Sequence, residues 1–211
     1  APFLDAAERM FQLVERLQIE NITLTHLDLG GGFGVSYEGT ASLDLEAYLT
    51  GVLKMAENYP QLTLVLEPGR AIIADAGVLL TRVEYLKETD DKRFALVDAG
   101  MNDLLRPSLY QAWHDIVAVD EANNGRGKLV DVVGPVCETG CFLGHARHLT
   151  ITGGDLLAVK HVGAYGFTMS SNYNTRAKPA EVLVDGANSF LIRARETFDD
   201  LIRGERLLDR T

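Results

Sequence analysis

The sequence predicts a chain of two characters, α/β over residues 1–75 and all-β over residues 76–211. Before Ala76, helix-like and strand-like segments alternate, the pattern of a parallel sheet or barrel. After Ala76, many short strand-like runs are separated by Gly, Asn and Asp turns, the pattern of an all-β sandwich or barrel. With 211 residues and 46% hydrophobic content the chain can bury a core.

The first part follows from periodicity. Leu4, Ala7, Met10, Phe11, Val14 and Leu17 recur at helical spacing, so residues 5–18 form an amphipathic helix. Residues 22–29 read as a strand that runs into Gly30-Gly31-Gly32. Residues 43–58 read as a second helix, with Ser42 or Asp44 at its start. Residues 62–66 read as a short buried strand ending at Glu67. A full (β/α)8 barrel needs about 250 residues, so this part is enough for only about a quarter of one.

In the second part, strands are expected at residues 78–87, 93–98, 116–119, 128–133, 156–161, 181–184 and 190–195. Turns are expected at Asn123-Asn124-Gly125, Gly153-Gly154-Asp155 and Asp185-Gly186, and a short helix near residues 198–208.

Composition excludes some functions. A net charge of −10 with no basic stripe argues against nucleic acid. No run of 18 apolar residues predicts a transmembrane helix. No signal peptide is visible, and a start at Ala1 without Met suggests a processed chain or a fragment. Cys137, Cys141, His145 and His148 form a metal-binding tetrad on paper. The segment reads instead as strand and turn, so no metal is expected; nor is a disulfide, since the protein reads as cytoplasmic.

Four motifs carry chemistry. Gly30-Gly31-Gly32 ends a strand, where bare backbone can approach an anion closely; alone it is equally a mobile turn. Glu67-Pro68-Gly69-Arg70 ends the next strand: Gly69 and Arg70 suit a phosphate, and Glu67 could pair with a protonated ring nitrogen. Cys137-Glu138 offers a proton donor and a carboxylate for an amine, although a free cysteine is most often a small buried hydrophobe. Tyr165 lies in Gly163-Ala164-Tyr165-Gly166, whose glycines suggest an exposed, tight position from which its hydroxyl reaches a phosphate or carboxylate. Arg106 and Tyr110, in Arg106-Pro107-Ser108-Leu109-Tyr110, add a guanidinium suited to carboxylates and a hydroxyl. His161 reads as structural.

Taken together these residues resemble the fold-type III pyridoxal-phosphate decarboxylases, and among them most the group acting on diaminopimelate. The resemblance runs through His26–Gly34, Leu66–Arg70, Gly154–Val159 and Gly163–Gly166, then Ser171–Asn174 and Pro179–Gly186. It implies that residues 1–75 are the last units of a (β/α)8 barrel and 76–211 a C-terminal β-barrel or sandwich domain. It implies pyridoxal 5'-phosphate as cofactor, its phosphate held by Gly30, Gly31, Gly32, Gly69, Arg70 and Tyr165, with Glu67 facing the ring nitrogen. Arg70, Arg106, Tyr110, Glu138 and Tyr165 would contact an amino-acid substrate, and Cys137 would return a proton after CO2 leaves. Cys137 and Glu138 would reach a partner subunit's site, implying a homodimer with shared sites. Ornithine-type relatives carry Asp after the Cys, so Cys137-Glu138 favours diaminopimelate.

Two departures qualify this. Cys141 stands where relatives usually carry an acidic residue. The family's cofactor lysine falls early in the barrel, and Lys54, Lys87, Lys92, Lys128, Lys160 and Lys178 are all in the wrong context, so the chain alone is expected to be inactive. The rival readings are a decarboxylase for another basic amino acid, such as ornithine or arginine, and a catalytically dead homologue that regulates dimers. Two barrel strands without neighbours would expose edges and apolar faces, so dimerisation, domain swapping or disorder is expected in residues 1–75.

Overall fold

The computed structural model describes residues 2–37, 44–120, 122 and 127–208. The chain divides into two units, Ala1–Ala74 and Asp75–Thr211.

In the first unit, α1 (Pro2–Ile19) buries Ala7, Phe11 and Val14, and these lie on the predicted apolar stripe. It ends in a Schellman turn: Asn21 is left-handed at φ 61, Ile22 N–H donates to Leu17 O and Asn21 N–H to Gln18 O. That turn uses residues 20–22, so β1 (His26–Gly31) begins four residues later than the apolar run suggests and takes in two of the three glycines. Helix α2 (Leu45–Ala56) is capped by Asp44, whose carboxylate accepts from Ala47 N–H. The Ser42 alternative lies outside the described residues. Strand β2 (Thr63–Glu67) pairs parallel to β1, with His26 opposite Thr63 and Gly31 opposite Glu67. Helix α3 (Gly69–Ile73) follows at once, where the sequence reads as a turn. Ala7, Phe33, Tyr48 and Val52 form one core cluster, and Phe11, Val14 and Leu27 another.

The second unit is built on a six-stranded sheet, ordered β5-β8-β3-β4-β6-β7. Its strands are β3 (Leu79–Glu88), β4 (Arg93–Val97), β5 (Ile116–Ala118), β6 (Lys128–Val133), β7 (Phe142–Leu149) and β8 (Leu156–Val159). β4 and β6 pair in parallel and the other neighbours antiparallel. The end strands β5 and β7 approach each other, so the sheet is nearly closed. Val83, Val97, Leu104, Val130, Val132, Leu143, Leu157 and Val159 fill it, each at most 2% exposed. Each such side chain contributes about 1.5–3 kcal/mol of hydrophobic stabilisation.

Strand β7 is longer than a strand-and-turn reading suggests. A register shift between Val130 and Val132 and a left-handed Ala146 (φ 54) interrupt its alternation. Helix α4 (Arg106–Tyr110) was not legible as a helix; Pro107 sits in its first turn, where a missing N–H costs nothing. Strands β9 (Glu181–Asp185) and β10 (Asn188–Arg193) form a separate hairpin. Helix α5 (Phe198–Ile202) carries a Thr197–Asp200 capping box and stops short of residue 208. The Asn123-Asn124-Gly125 turn lies outside the described residues. Among the described residues, no helix is long and apolar enough to cross a membrane.

Candidate active site

The first unit brings the triple glycine and the Glu67–Arg70 motif together through strand register. Gly31 pairs with Glu67, so both motifs lie where two parallel strands end side by side, a usual ligand position in such sheets. Gly30 and Gly32 are left-handed, φ 70 and 79, which only glycine adopts without strain. A Cβ on Gly30 would meet nothing within 4 Å, and one on Gly32 only Phe3 Cε1 at 4.0 Å. Gly69 is equally open. The backbone N–H of Gly30 is already used: it donates to Asp28 Oδ1 at 2.8 Å. Gly30 therefore offers a bare Cα face rather than a donor. Arg70 sits in the first turn of α3, half-buried; its carbonyl accepts from Ala74 N–H, and its guanidinium makes no hydrogen bond or ion pair with a described residue. Glu67 is exposed at the strand end. Bare glycine backbone suits close approach of a phosphate ester, and an arginine three residues after Glu67 is the side chain best able to bind one.

The second unit gathers α4, the Cys137–Gly140 turn and the Ser171–Arg176 loop. Ser108 Oγ donates to Gly140 O at 2.6 Å, fastening α4 to the turn. The turn closes on itself, with Glu138 N–H donating to Val136 O and Cys141 N–H to Glu138 O. Cys137 and Glu138 are left exposed at its tip. Tyr173 Oη lies 3.4 Å from Glu138 Oε2 and donates to it. The loop carrying Tyr173 is strained, with Asn174 and Thr175 both at φ 57. It is pinned by Arg176, whose Nε donates to Asn102 Oδ1 at 3.0 Å and Nη2 to Asp98 O at 2.6 Å.

Arg106 and Tyr110 start and end the single turn of α4 but differ sharply: Arg106 is 8% exposed, Tyr110 62%. Tyr165 is exposed, as its flanking glycines suggest, and left-handed at φ 61. Its turn is seated by Gly77, where a Cβ would stand 2.5 Å from Gly163 Cα. His161 Nδ1 lies 2.7 Å from Asp75 Oδ1.

Cys141 is buried against Gly100 and Gly134, a small apolar filler beside its exposed neighbour Cys137. Lys92, Lys128 and Lys160 are engaged with Asp131, Glu88 and Asp115.

Sequence reasoning missed His114, which is fully buried and touches Arg106, with Arg106 Nη1 and His114 Nε2 3.0 Å apart. Burial, above all, pushes its imidazole down to about 4; the Lys160 carbonyl opposes this, and the charges of Arg106, His161 and Arg147 reinforce it. The only signal was a histidine shortly after the Arg106–Tyr110 motif. Nothing in its spacing shows that the chain turns back at Gln111 (φ 51) to lay it on Arg106.

Comparison with known proteins gives consistent findings. The family model described as pyridoxal-dependent decarboxylase, C-terminal sheet domain, matches residues 20–163. Diaminopimelate decarboxylase of Pseudomonas aeruginosa is 55% identical over 207 residues, covering 98% of this chain and 49% of its own length. That of Haemophilus influenzae is 52% identical over 200 residues, 95% of this chain and 48% of its own. The chain thus spans about half the length of the curated relatives it matches. Among solved structures, Helicobacter pylori diaminopimelate decarboxylase complexed with L-lysine superposes with a TM-score of 0.87 at 41% identity, over 96% of this chain and 50% of that one. The M. jannaschii enzyme in co-complex with L-lysine gives 0.90 at 35%, over 98% and 49%.

Proposed function

The chain belongs to the pyridoxal-dependent decarboxylase family, and from that premise we propose that the whole protein converts meso-diaminopimelate to L-lysine and CO2, the last step of lysine biosynthesis. The observation that carries the reading is the open backbone of Gly30 and Gly32 on either side of Gly31, which is held in register with Glu67, with Arg70 three residues further on. The names of relatives 52–55% identical over nearly the whole chain support the substrate.

In this reading residues 1–75 are the last units of a (β/α)8 barrel and residues 76–211 the C-terminal β domain. Pyridoxal 5'-phosphate fits the residues present, because open glycine faces and a guanidinium match its phosphate. When bound, it takes up the electron pair left as CO2 departs. Gly30, Gly31, Gly32, Gly69 and Arg70 cradle the phosphate, and Tyr165 adds its hydroxyl. Glu67 keeps the ring nitrogen protonated. Arg70, Arg106, Tyr110, Glu138 and Tyr165 hold the amino acid. Glu138 and Arg106 supply one anion and one cation, which suits a second end bearing both an ammonium and a carboxylate. Ornithine and arginine have no carboxylate there. Cys137 returns the proton to the carbon that lost CO2. A homodimer, in which Cys137 and Glu138 serve the partner's site, and a cytoplasmic location complete the proposal.

The test is a substrate panel on the whole protein with the cofactor added, following CO2 and the amino acid formed. L-Lysine from meso-diaminopimelate, with ornithine and arginine untouched, is the expected result. Preferred turnover of ornithine or arginine would overturn the substrate, and CO2 from none of the three would overturn the activity.

A further inference from the structure

Arg106 lies in a one-turn helix, and a five-residue helix does little to fix a long side chain. One contact at its guanidinium comes from the chain that follows. Gln111 ends α4 in a left-handed conformation, and Ala112 N–H turns back to Arg106 O. That reversal lays the fully buried His114 against Arg106.

The chemistry of the contact fixes the histidine's tautomer. A guanidinium can only donate, so His114 Nε2 must accept at 3.0 Å. Nδ1 then carries the proton and donates to Lys160 O at 2.9 Å, just past the end of β8. The peptide of His114 is clamped as well: Arg147 Nη2 donates to His114 O at 3.0 Å. The Arg147 guanidinium stacks over the Trp113 ring, 3.2 Å from its centroid. The ring of His114 is thus tied to the residue that follows β8 and its backbone to β7, and Arg106 is tied to the ring.

We propose that His114 is the positioning residue for Arg106, its Nδ1-protonated imidazole receiving one guanidinium N–H and so fixing the plane in which Arg106 meets a substrate carboxylate. The substrate role of Arg106 rests on the function proposed above; the fixed tautomer and the geometry do not. Since His114 acts through Arg106, its loss weakens substrate binding and leaves the chemical step nearly intact.

The experiment uses the whole protein with its cofactor. Replacing His114 with Leu removes both hydrogen bonds. His114→Gln keeps an acceptor for Arg106 and a donor for the Lys160 carbonyl. The expected result for H114L is KM for diaminopimelate raised about tenfold or more with kcat within about threefold, consistent with loss of a charge-assisted hydrogen bond. H114Q recovers most of the affinity. In an Arg106→Ala background, H114L changes KM no further. An unchanged KM in folded H114L, or additive effects in the double variant, would overturn the proposal. If the wild-type protein turns over no diaminopimelate, the function reading fails by itself. Nitrogen-15 spectra of the imidazole then still decide the placement: a protonated Nδ1 and a bare Nε2 at neutral pH support it, and the opposite tautomer overturns it.

Discussion

Gly31 lies flat against Glu67 where β1 and β2 end: a Cβ on Gly31 would stand 2.0 Å from the Glu67 carbonyl oxygen. No side-chain rotation relieves a clash with backbone, so the strands would have to part. Gly31→Ala should therefore lower the melting temperature of the first unit and weaken cofactor binding at least tenfold, by calorimetry or cofactor absorbance. Gly69→Ala is the control, because the space above Gly69 is open and alanine favours a helix by up to about 1 kcal/mol over glycine. It should fold as well as the parent. Equal melting curves for both variants would mean that the Gly31–Glu67 contact does not hold the two motifs together.

Tyr173 reaches Glu138 from a loop that stores strain at Asn174 and Thr175. Removing the hydroxyl loses one long hydrogen bond to a carboxylate, on the order of 1 kcal/mol. Tyr173→Phe should raise KM for the substrate about three- to tenfold with little effect on kcat. Arg176→Ala should do more, because it releases the whole loop from Asn102 and Asp98. A Phe variant with unchanged KM would show that Glu138 needs no help from Tyr173.

The buried His114 also sets an acid limit on stability. Its folded pKa, about 4, lies below the ordinary 6.5, with burial the largest cause. Between those values the unfolded chain binds a proton that the folded chain does not. The stability present above about 6.5 is therefore lost as pH falls toward 4 and changes no further below that, a loss on the order of 3 kcal/mol. Chemical denaturation of parent and H114Q between pH 7 and 4 should show the parent losing more. Parallel curves would mean that His114 takes up its proton over the same pH range in the fold as in the unfolded chain.

The elements legible in the sequence are those whose burial follows a simple period. Helix α1 shows a regular apolar stripe, and β3, β4 and β6 end within a residue or so of the expected limits. Gly153-Gly154-Asp155 and Asp185-Gly186 marked turns, whereas the Glu67–Arg70 segment that reads as a turn starts a helix. The site motifs were legible because each requires an unusual residue, a bare glycine or a Cys-Glu pair. What could not be read is how distant segments meet. No local signal places Tyr173 on Glu138 or Ser108 on Gly140, since each contact joins segments more than thirty residues apart, and none shows that the reversal at Gln111 lays His114 on Arg106. Arg106 illustrates the difference: its residue type suggested a carboxylate ligand, but only the fold shows it buried.

The Tyr165 turn depends on a glycine far away in sequence. Gly77 approaches Gly163 so closely that a Cβ on Gly77 would stand 2.5 Å from Gly163 Cα and 2.6 Å from its nitrogen. Val162 N–H donates to Gly77 O, so the two segments are also hydrogen-bonded there. Gly77→Ala should displace the turn and weaken both cofactor and substrate binding, whereas Gly204→Ala, in open space, should change neither. Unchanged binding in Gly77→Ala would separate Tyr165 from both ligands.

Cys137 and Cys141 share one turn and should respond in opposite ways. Cys137 is exposed at its tip beside Glu138, where a thiol can deliver a proton to a substrate. Loss of a positioned general acid commonly costs about 10²- to 10⁴-fold in rate. Cys137→Ala in the whole protein should lower kcat by at least about 10²-fold and leave cofactor absorbance, KM and melting temperature close to the parent. Cys141 is 5% exposed and packs its sulfur against Gly100 and Gly134. Cys141→Ala should cost about 1 kcal/mol of stability through the small void it leaves, with kcat nearly unchanged. Steady-state kinetics and thermal melts on the two variants separate these effects. A Cys137→Ala enzyme with full kcat would remove the thiol from the proton step and leave that role to another group.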